Sequence, residues 1–548
     1  MRSLLAIVLA AGLVMLVPLL LDPQPTDPVG PRIEGRVHPQ GGRYRCPVPG
    51  IQNLNPLTQN ESVSERYVLR FTHDTLFDRD PITGDLRPNA ATKATREGRS
   101  VTFELREGLR FSDGSLLELA DLEFLVAISR HERLQPRSAS ASKLQQAELV
   151  ETSALDDRLQ LKVTFPTWSR STFERFATAV RLVQRSHFVE AARALNSSAE
   201  LMSDQFVDLC SQIRNSGPGT GPYLAPGDGT PATIGTFAML PNPHSWHRVA
   251  RPDAWNLDAI ELRFVSDSSI TTTAAIRGDA DFLVSSDTEL DRLVERHQVL
   301  RDEFVRLSLE ADHLGTIYLA WNQTNAPLDD RRVREALEHI VDRQHIAESL
   351  YGARAVAGHG YYRAPDREAR PFEVSRARKM LEELGRTPTE QAPLRLVYAR
   401  GTPIGNAVQV ALNDDFDDLG WPLQIEAVDD GQIGKIIDDG DFDIAVIYSE
   451  FATPRDPFEA FHSTRNRHGL NDPDLDRVLV SLRTESEPAS IRSLFQEFEN
   501  RLHDSAAITP ICRPTLSLLL HKRFQNVEPG PLGLVPERWW VSPDQQRG

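Results

Sequence analysis

Alternating apolar and polar residues in Val101-Thr102-Phe103-Glu104-Leu105 predict a half-buried strand, since successive side chains of an extended chain face opposite sides. Gly108 and the Asp113-Gly114 turn bound a second short strand around Leu109 and Phe111, and the pair reads as a hairpin. Residues 120–129 then follow helical spacing. A strand at 260–265 precedes a helix that ends near Gly278, and 282–284 is another apolar run. Farther on, the pattern predicts a strand over 317–321 and helices over 331–341 and 375–384, the last closed by Gly385 as a C-cap. Strands over 394–398 and 423–428 flank a helix over 406–419, and 442–448 reads as a buried strand. Strands and helices mixed in this way over two long stretches predict α/β lobes.

One segment breaks the pattern. From Leu4 to Leu21 about 18 residues are apolar and uncharged, at the lower edge of what crosses a bilayer and longer than a usual signal-peptide core. Asp22 stops the run, and Pro23, Pro25 and Pro28 mark a Pro-rich spacer over 23–42. No small-x-small cleavage pattern follows, and the first cysteine, Cys46, stands too far along to take a lipid. Residues 1–22 therefore read as an uncleaved signal anchor, with a cleaved signal peptide as the alternative. Either puts the rest on the periplasmic or cell-surface side of a cytoplasmic membrane.

At 548 residues the chain is too long for one ordinary domain. Its 40% hydrophobic and 25% charged residues are a soluble globular balance. The net charge of −17 repels phosphate backbones and excludes nucleic acid as an expected partner. Three cysteines do not make a disulfide scaffold.

Catalytic chemistry finds no foothold. Gly217-Pro218-Gly219-Thr220-Gly221 resembles a phosphate loop only superficially. Pro218 and Pro222 remove backbone donors, and no Lys-Ser/Thr follows, so it reads as a structural turn. The 15 histidines include no HExxH, and His244 and His247 beside Trp246 read as a surface loop. There is no GxSxG elbow. No enzyme activity, metal or cofactor is expected. Arg332 and Arg334 read, by composition alone, as a solvated helix face beside Leu337. Glycosylation-type triplets begin at Asn60, Asn196 and Asn322 and read as chance.

Dispersed blocks carry a family likeness. Leu54-Asn55-Pro56-Leu57, Asp74-Thr75-Leu76-Phe77 and the stretch Asp80 to Pro88 come first; Val101 through Gly114 and Asp121 follow. Gly219-Thr220-Gly221-Pro222-Tyr223, Asn242-Pro243 with Trp246, and Asn322, Pro327-Leu328 and Arg332 through Leu337 continue the order, with Asp342-Arg343, Gly440-Asp441-Phe442-Asp443 and Asp456-Pro457 after them. Over about 50–530 the chain resembles the extracytoplasmic peptide- and oligopeptide-binding proteins of ABC importers (solute-binding family 5). The resemblance implies an α/β, two-lobed periplasmic-binding-protein-like fold of type II, with an extra subdomain and two hinge crossovers. It implies a larger lobe over 43–310 plus 516–541, with about 90–220 as the inserted subdomain, and a smaller lobe over 311–515. A monomer is expected, with a peptide or peptide-like solute and ABC permease subunits as partners. The alternatives are a non-peptide solute, such as an oligosaccharide or metal chelate, and an anchored sensor or chaperone-like binder without transport. A bond between Cys46 and Cys210 is left open, with Cys512 a buried free thiol.

The resemblance also directs attention to the cleft strand and the residues just after it. Peptide-binding members place an Asp there, against the peptide's α-ammonium. Here the corresponding position reads Ala452 or Thr453, depending on the direction of counting, and neither is an acid. A buried ammonium without a counter-charge costs several kcal/mol. Candidate ligand contacts are therefore Tyr448, Glu450, Phe451, Ala452, Thr453 and Asp456, with Asn53 from the opening loop. Glu450 is the nearest substitute acid, and Tyr448 or Phe451 the nearest aromatic.

Overall fold

The computed structural model describes residues 36–546, apart from 59–61, 135–138, 156–157, 228, 266–267, 310–313, 353–356, 359 and 451–454. The N-terminal apolar run, most of the spacer, and Phe451, Ala452 and Thr453 lie outside the described residues. Among the described residues no helix is long and apolar enough to cross a membrane.

Two sheets link the early and late parts of the chain. Arg43–Val48 pairs in parallel with Ala259–Phe264, which continues antiparallel to Thr236–Pro241 and on to Tyr223–Leu224. Beside it, Leu516–His521 lies between Phe282–Val284 and Phe304–Leu309, so the C-terminal part of the chain returns to the side where the described chain begins. The folded body starts earlier than the composition shift at Arg43. Arg36 donates to Arg248 O at 3.0 Å and to Asn256 Oδ1 at 2.7 Å, and His38 stacks on Trp540.

A separate four-stranded antiparallel sheet runs Ala91–Glu97, Ser100–Leu105, Arg158–Thr164, Leu149–Leu155. Its inward residues Val101, Phe103 and Leu105 pack with Phe176, Phe188 and Phe206 from the helices that follow it. The expected hairpin partner at Leu109 and Phe111 is not a strand. Only Arg110 bridges to Leu116 around the Asp113-Gly114 turn, and Ser112 N donates to Gly219 O at 2.9 Å. That backbone bonds outside a ladder, while Phe111 is buried in the core.

The five-stranded sheet has the order Leu423–Val428, Leu394–Ala399, Ile444–Ser449, Thr316–Trp321, Ile508–Cys512. The first three are parallel and the last two antiparallel to their neighbours. Every residue of Thr316–Trp321 is buried, as a strand covered on both faces requires. One face packs on Trp321, Phe416 and Trp421, the other on Phe461, Phe498 and Tyr361. The helix expected over 331–341 ends at Glu338. Asp342 caps the next helix, accepting from His345 N at 3.0 Å, and so divides the segment.

Candidate ligand-binding cleft

The strand Ile444–Ser449 is central in the five-stranded sheet, with its register fixed by pairing of Ile317 with Tyr448 and Thr316 with Ser449. Gly315, at φ +65°, makes the close approach possible: a Cβ there would lie 2.0 Å from Ser449 O. The Ser449 hydroxyl bonds Tyr361 Oη at 3.0 Å, while Tyr448 (42% exposed) and Glu450 face solvent.

Beyond the strand and past residues 451–454, the chain meets a helix from much earlier in the sequence. The helix Arg170–Ala179 is capped by Ser169, whose Oγ accepts from Thr172 N at 3.0 Å. Its first turn points across the seam. Ser171 Oγ–H donates to Asp456 Oδ2 at 2.6 Å, and Arg170 donates to Leu482 O at 3.1 Å and Arg455 O at 3.5 Å. Asp456 also accepts Arg483 Nε on both oxygens, at 3.2 and 3.1 Å, and Phe458 N at 3.2 Å. Burial alone would raise the Asp456 carboxyl, but the bonds from Arg483 and Ser171 outweigh it and hold it below its ordinary range.

Beside this seam lies a cavity of about 640 Å³, within the range of pockets that bury small organic ligands. Arg79, Trp168, Arg170 and Phe173 wall it on one side, and Arg455, Pro488, Ile491 and Phe495 on the other. Pro531 and Leu532 from the returning C-terminal segment close one end. Glu174 holds the first wall together, meeting Arg170 at 2.8 Å and Arg79 at 2.5 Å, and Arg96 lies 4.0 Å over the Trp168 ring. Charged and aromatic groups contributed from both sides of a seam are suited to binding a polar solute and to responding to it by closing.

The sequence pattern described as "Bacterial extracellular solute-binding proteins, family 5 Middle" matches residues 85–469, more than half of the chain. The chain belongs to this family. That family is one of extracellular solute-binding proteins, a substrate-binding, non-catalytic class. Curated relatives are distant. Probable di/tripeptide-binding protein 5 of Pseudomonas aeruginosa is 21% identical over 50% of this chain and 54% of its own length. The chain thus spans about half the length of that relative. The nickel-binding periplasmic protein of Escherichia coli is 21% identical over 80% of this chain and 82% of its own. Among solved structures, the unliganded open form of MppA, a periplasmic murein tripeptide-binding protein, superposes with a TM-score of 0.74 at 18% identity, covering 93% of this chain and 99% of that one. This likeness establishes the two-lobed fold.

The site residues expected for a family 5 solute-binding protein are not all gathered in one place. Asp456 reaches the seam, whereas Tyr448 and Glu450 are exposed and do not wall the cavity. Asn53 is buried in the opening loop, where its N–H donates to Glu65 Oε1 at 3.0 Å and its Oδ1 accepts from Asn55 N at 3.0 Å. The sequence pattern did not single out Arg170, Glu174 or Trp168. Their only signal was a Ser-capped amphipathic helix after a Trp, and what that helix faces is decided by tertiary packing.

Several expectations from the sequence need correction. His247 is not a surface residue: its Nε2 lies 2.6 Å from Asp74 Oδ1, and Trp246 Nε1 donates to Asp74 Oδ2 at 3.0 Å. Asp74 is remote in sequence, so the pairing has no local signature. Arg332 is exposed beside Asp330, as a solvated face requires, but Arg334 is buried, donating to Leu328 O, Ser505 O and Ala506 O. Burial pushes it down to about 10. Cys46 and Cys210 are free thiols, as is Cys512, and the first two belong to different core clusters. Asn322 is buried, donating to Gly440 O and Phe442 O. The Gly-Pro-Gly-Thr-Gly segment packs on the end of the helix Val63–Thr72, where a Cβ on Gly219 would lie 1.9 Å from Thr72 O; it is a structural turn.

Proposed function

We propose that this protein is the extracytoplasmic receptor of an ABC importer, closing its lobes on a peptide or peptide-like solute and presenting the closed form to permease subunits. One observation carries the reading: a 640 Å³ cavity is walled from both sides of a seam that Ser171 and Asp456 bridge. A ligand touching both walls stabilises the closed state by its differential affinity for that state. In this reading the larger lobe spans 43–310 plus 516–541, with an insertion over about 90–220, and the smaller lobe 311–515, a division supported by separate sheets in each part. Residues 4–21 anchor a monomer to the outer side of the membrane, which N-terminal sequencing of the membrane-extracted protein tests. Recovery of a mature chain beginning after Leu21 would refute the anchor.

A metal chelate is the second reading, favoured by the long alignment with the nickel-binding relative. Among the described residues no group of three or more His, Cys, Asp or Glu side chains could hold a bare metal ion. Such a solute would be held through its organic acid. Native mass spectrometry of ligand carried through purification tests both readings. Co-purified peptides support the first, and a metal-bearing mass with no peptide overturns it.

A further inference from the structure

The charges around the cavity run against those of the whole molecule. The chain carries −17, yet among the described residues that line the cavity, Arg79, Arg96 and Arg170 on one wall, with Arg455 and Arg492 on the other, stand against three carboxylates. Those are Asp85, Glu174 and Glu485, so the local balance is five positive against three negative, or +2.

The acids are also poorly placed to receive a cation. Glu174 is a single carboxylate shared by two guanidiniums, Arg79 and Arg170. Glu485 accepts Ser486 N at 2.7 Å and Glu487 N at 2.9 Å at the solvent-exposed rim, and Asp85 is exposed as well. The buried charged surface is therefore net cationic: Arg79 and Arg170 share the single Glu174, and Arg455, half-buried, lines the same cavity. Burying guanidiniums together costs free energy that an arriving anion offsets, and planar guanidiniums match carboxylates in a bidentate geometry. An ammonium entering the same space meets like charge and, among the described lining residues, finds no carboxylate that is not already bonded or at the rim.

We infer that the solute of this cleft is an anion bearing at least two acid groups, gripped by Arg455 and Arg492 together with the Arg79–Glu174–Arg170 cluster, and not by its amine. This rests on the peptide reading above and names the class of peptide-like solute. It also accounts for a chain that reads Ala452 or Thr453 where an amine-binding acid is expected.

The test is calorimetry on the purified exported chain with three probes: N-acetyl-Glu-Glu, tri-alanine and tri-lysine. N-acetyl-Glu-Glu, which has no free amine, is expected to bind roughly ten-fold or more tighter than tri-alanine, and to weaken about ten-fold between 20 and 200 mM salt. Arg492→Gln, at an exposed helix position that leaves folding intact, is expected to weaken it about five-fold or more. Arg455→Gln, checked for native circular dichroism, is expected to do the same. Tri-alanine or tri-lysine binding as tightly as the acidic probe overturns the anionic assignment and leaves the peptide reading standing. Acidic-peptide affinity unchanged in Arg492→Gln and Arg455→Gln likewise overturns it. Failure of all three probes to bind overturns the peptide reading and this inference with it.

Discussion

Asp456 at the seam and Glu499 in the interior of the same lobe are both well supplied with hydrogen bonds, but from different kinds of donor. Asp456 is held mainly by side chains, one of which, Ser171, belongs to the opposite wall. Glu499 accepts three backbone N–H groups of one loop: Tyr361 at 2.8 Å, Tyr362 at 2.6 Å and Arg363 at 3.1 Å. Burial dominates there and raises its carboxyl to about 7 despite those bonds, whereas the Asp456 carboxyl is held low. Side-chain partners across a seam can part and meet again, so that pairing depends on closure. Backbone partners within one loop fix the loop whether the cleft is open or shut. On the closing motion proposed above, the reversible contacts lie at the seam and the permanent ones beneath it.

The largest effect should come from breaking the interior. Glu499→Ala leaves three N–H groups unpaired, those of Tyr361 and Tyr362 buried, and should cost about 3–4 kcal/mol of stability, measured by urea unfolding, with Glu499→Gln costing about half of that. The pH dependence separates the two carboxylates further. Because the folded Glu499 lies at about 7 against an ordinary 4.5, its contribution is full below 4.5 and is lost as pH rises through 7, by about 3 kcal/mol. Glu499→Gln should flatten that decline, and an unchanged slope would refute the assignment. The low Asp456 carboxyl acts in the opposite sense: its contribution is present above 3.8 and fades as pH falls further.

Breaking the seam should be milder and should appear in ligand binding. Asp456→Ala removes the partner of Ser171 and Arg483, and should weaken solute affinity about ten-fold, with Ser171→Ala weakening it a few-fold. Unfolding of the unliganded Ser171→Ala protein should shift by no more than about 0.5 kcal/mol. If it loses stability as Glu499→Ala does, the seam is part of the permanent core. The smallest effect concerns the thiols. Burial pushes Cys46, Cys210 and Cys512 each up to about 12. None should react with Ellman's reagent in the native state, and all three should react in urea.

Periodicity was informative wherever a segment was buried on one or both faces. The strand expected at 423–428 is Leu423–Val428, and the helix expected over 406–419 extends back only to Pro403, which Thr402 caps. It failed where backbone bonds left the ladder, as at Ser112, and where one side chain divided a helical pattern, as at Asp342. The cleft was half legible. Family likeness pointed to the segment containing Asp456, but Ser171 and Arg170, which meet it, are far away in sequence and look like any N-terminal helical turn. The buried Arg334 and the His247–Asp74 pair were hidden for the same reason: composition shows a charge but not the carbonyls or carboxylate that fold around it.

The most direct test is a distance across the cleft. Lys162 on the inserted sheet and Ser493 on the helix Pro488–Ser505 are exposed, and the native thiols are buried. Spin labels placed on Lys162→Cys and Ser493→Cys therefore report the separation of the two walls by pulsed electron resonance. Saturating solute should shorten and narrow the distance distribution, and Asp456→Ala should weaken that response. A distribution unchanged when solute is bound to saturation would contradict a receptor that works by closing on its ligand.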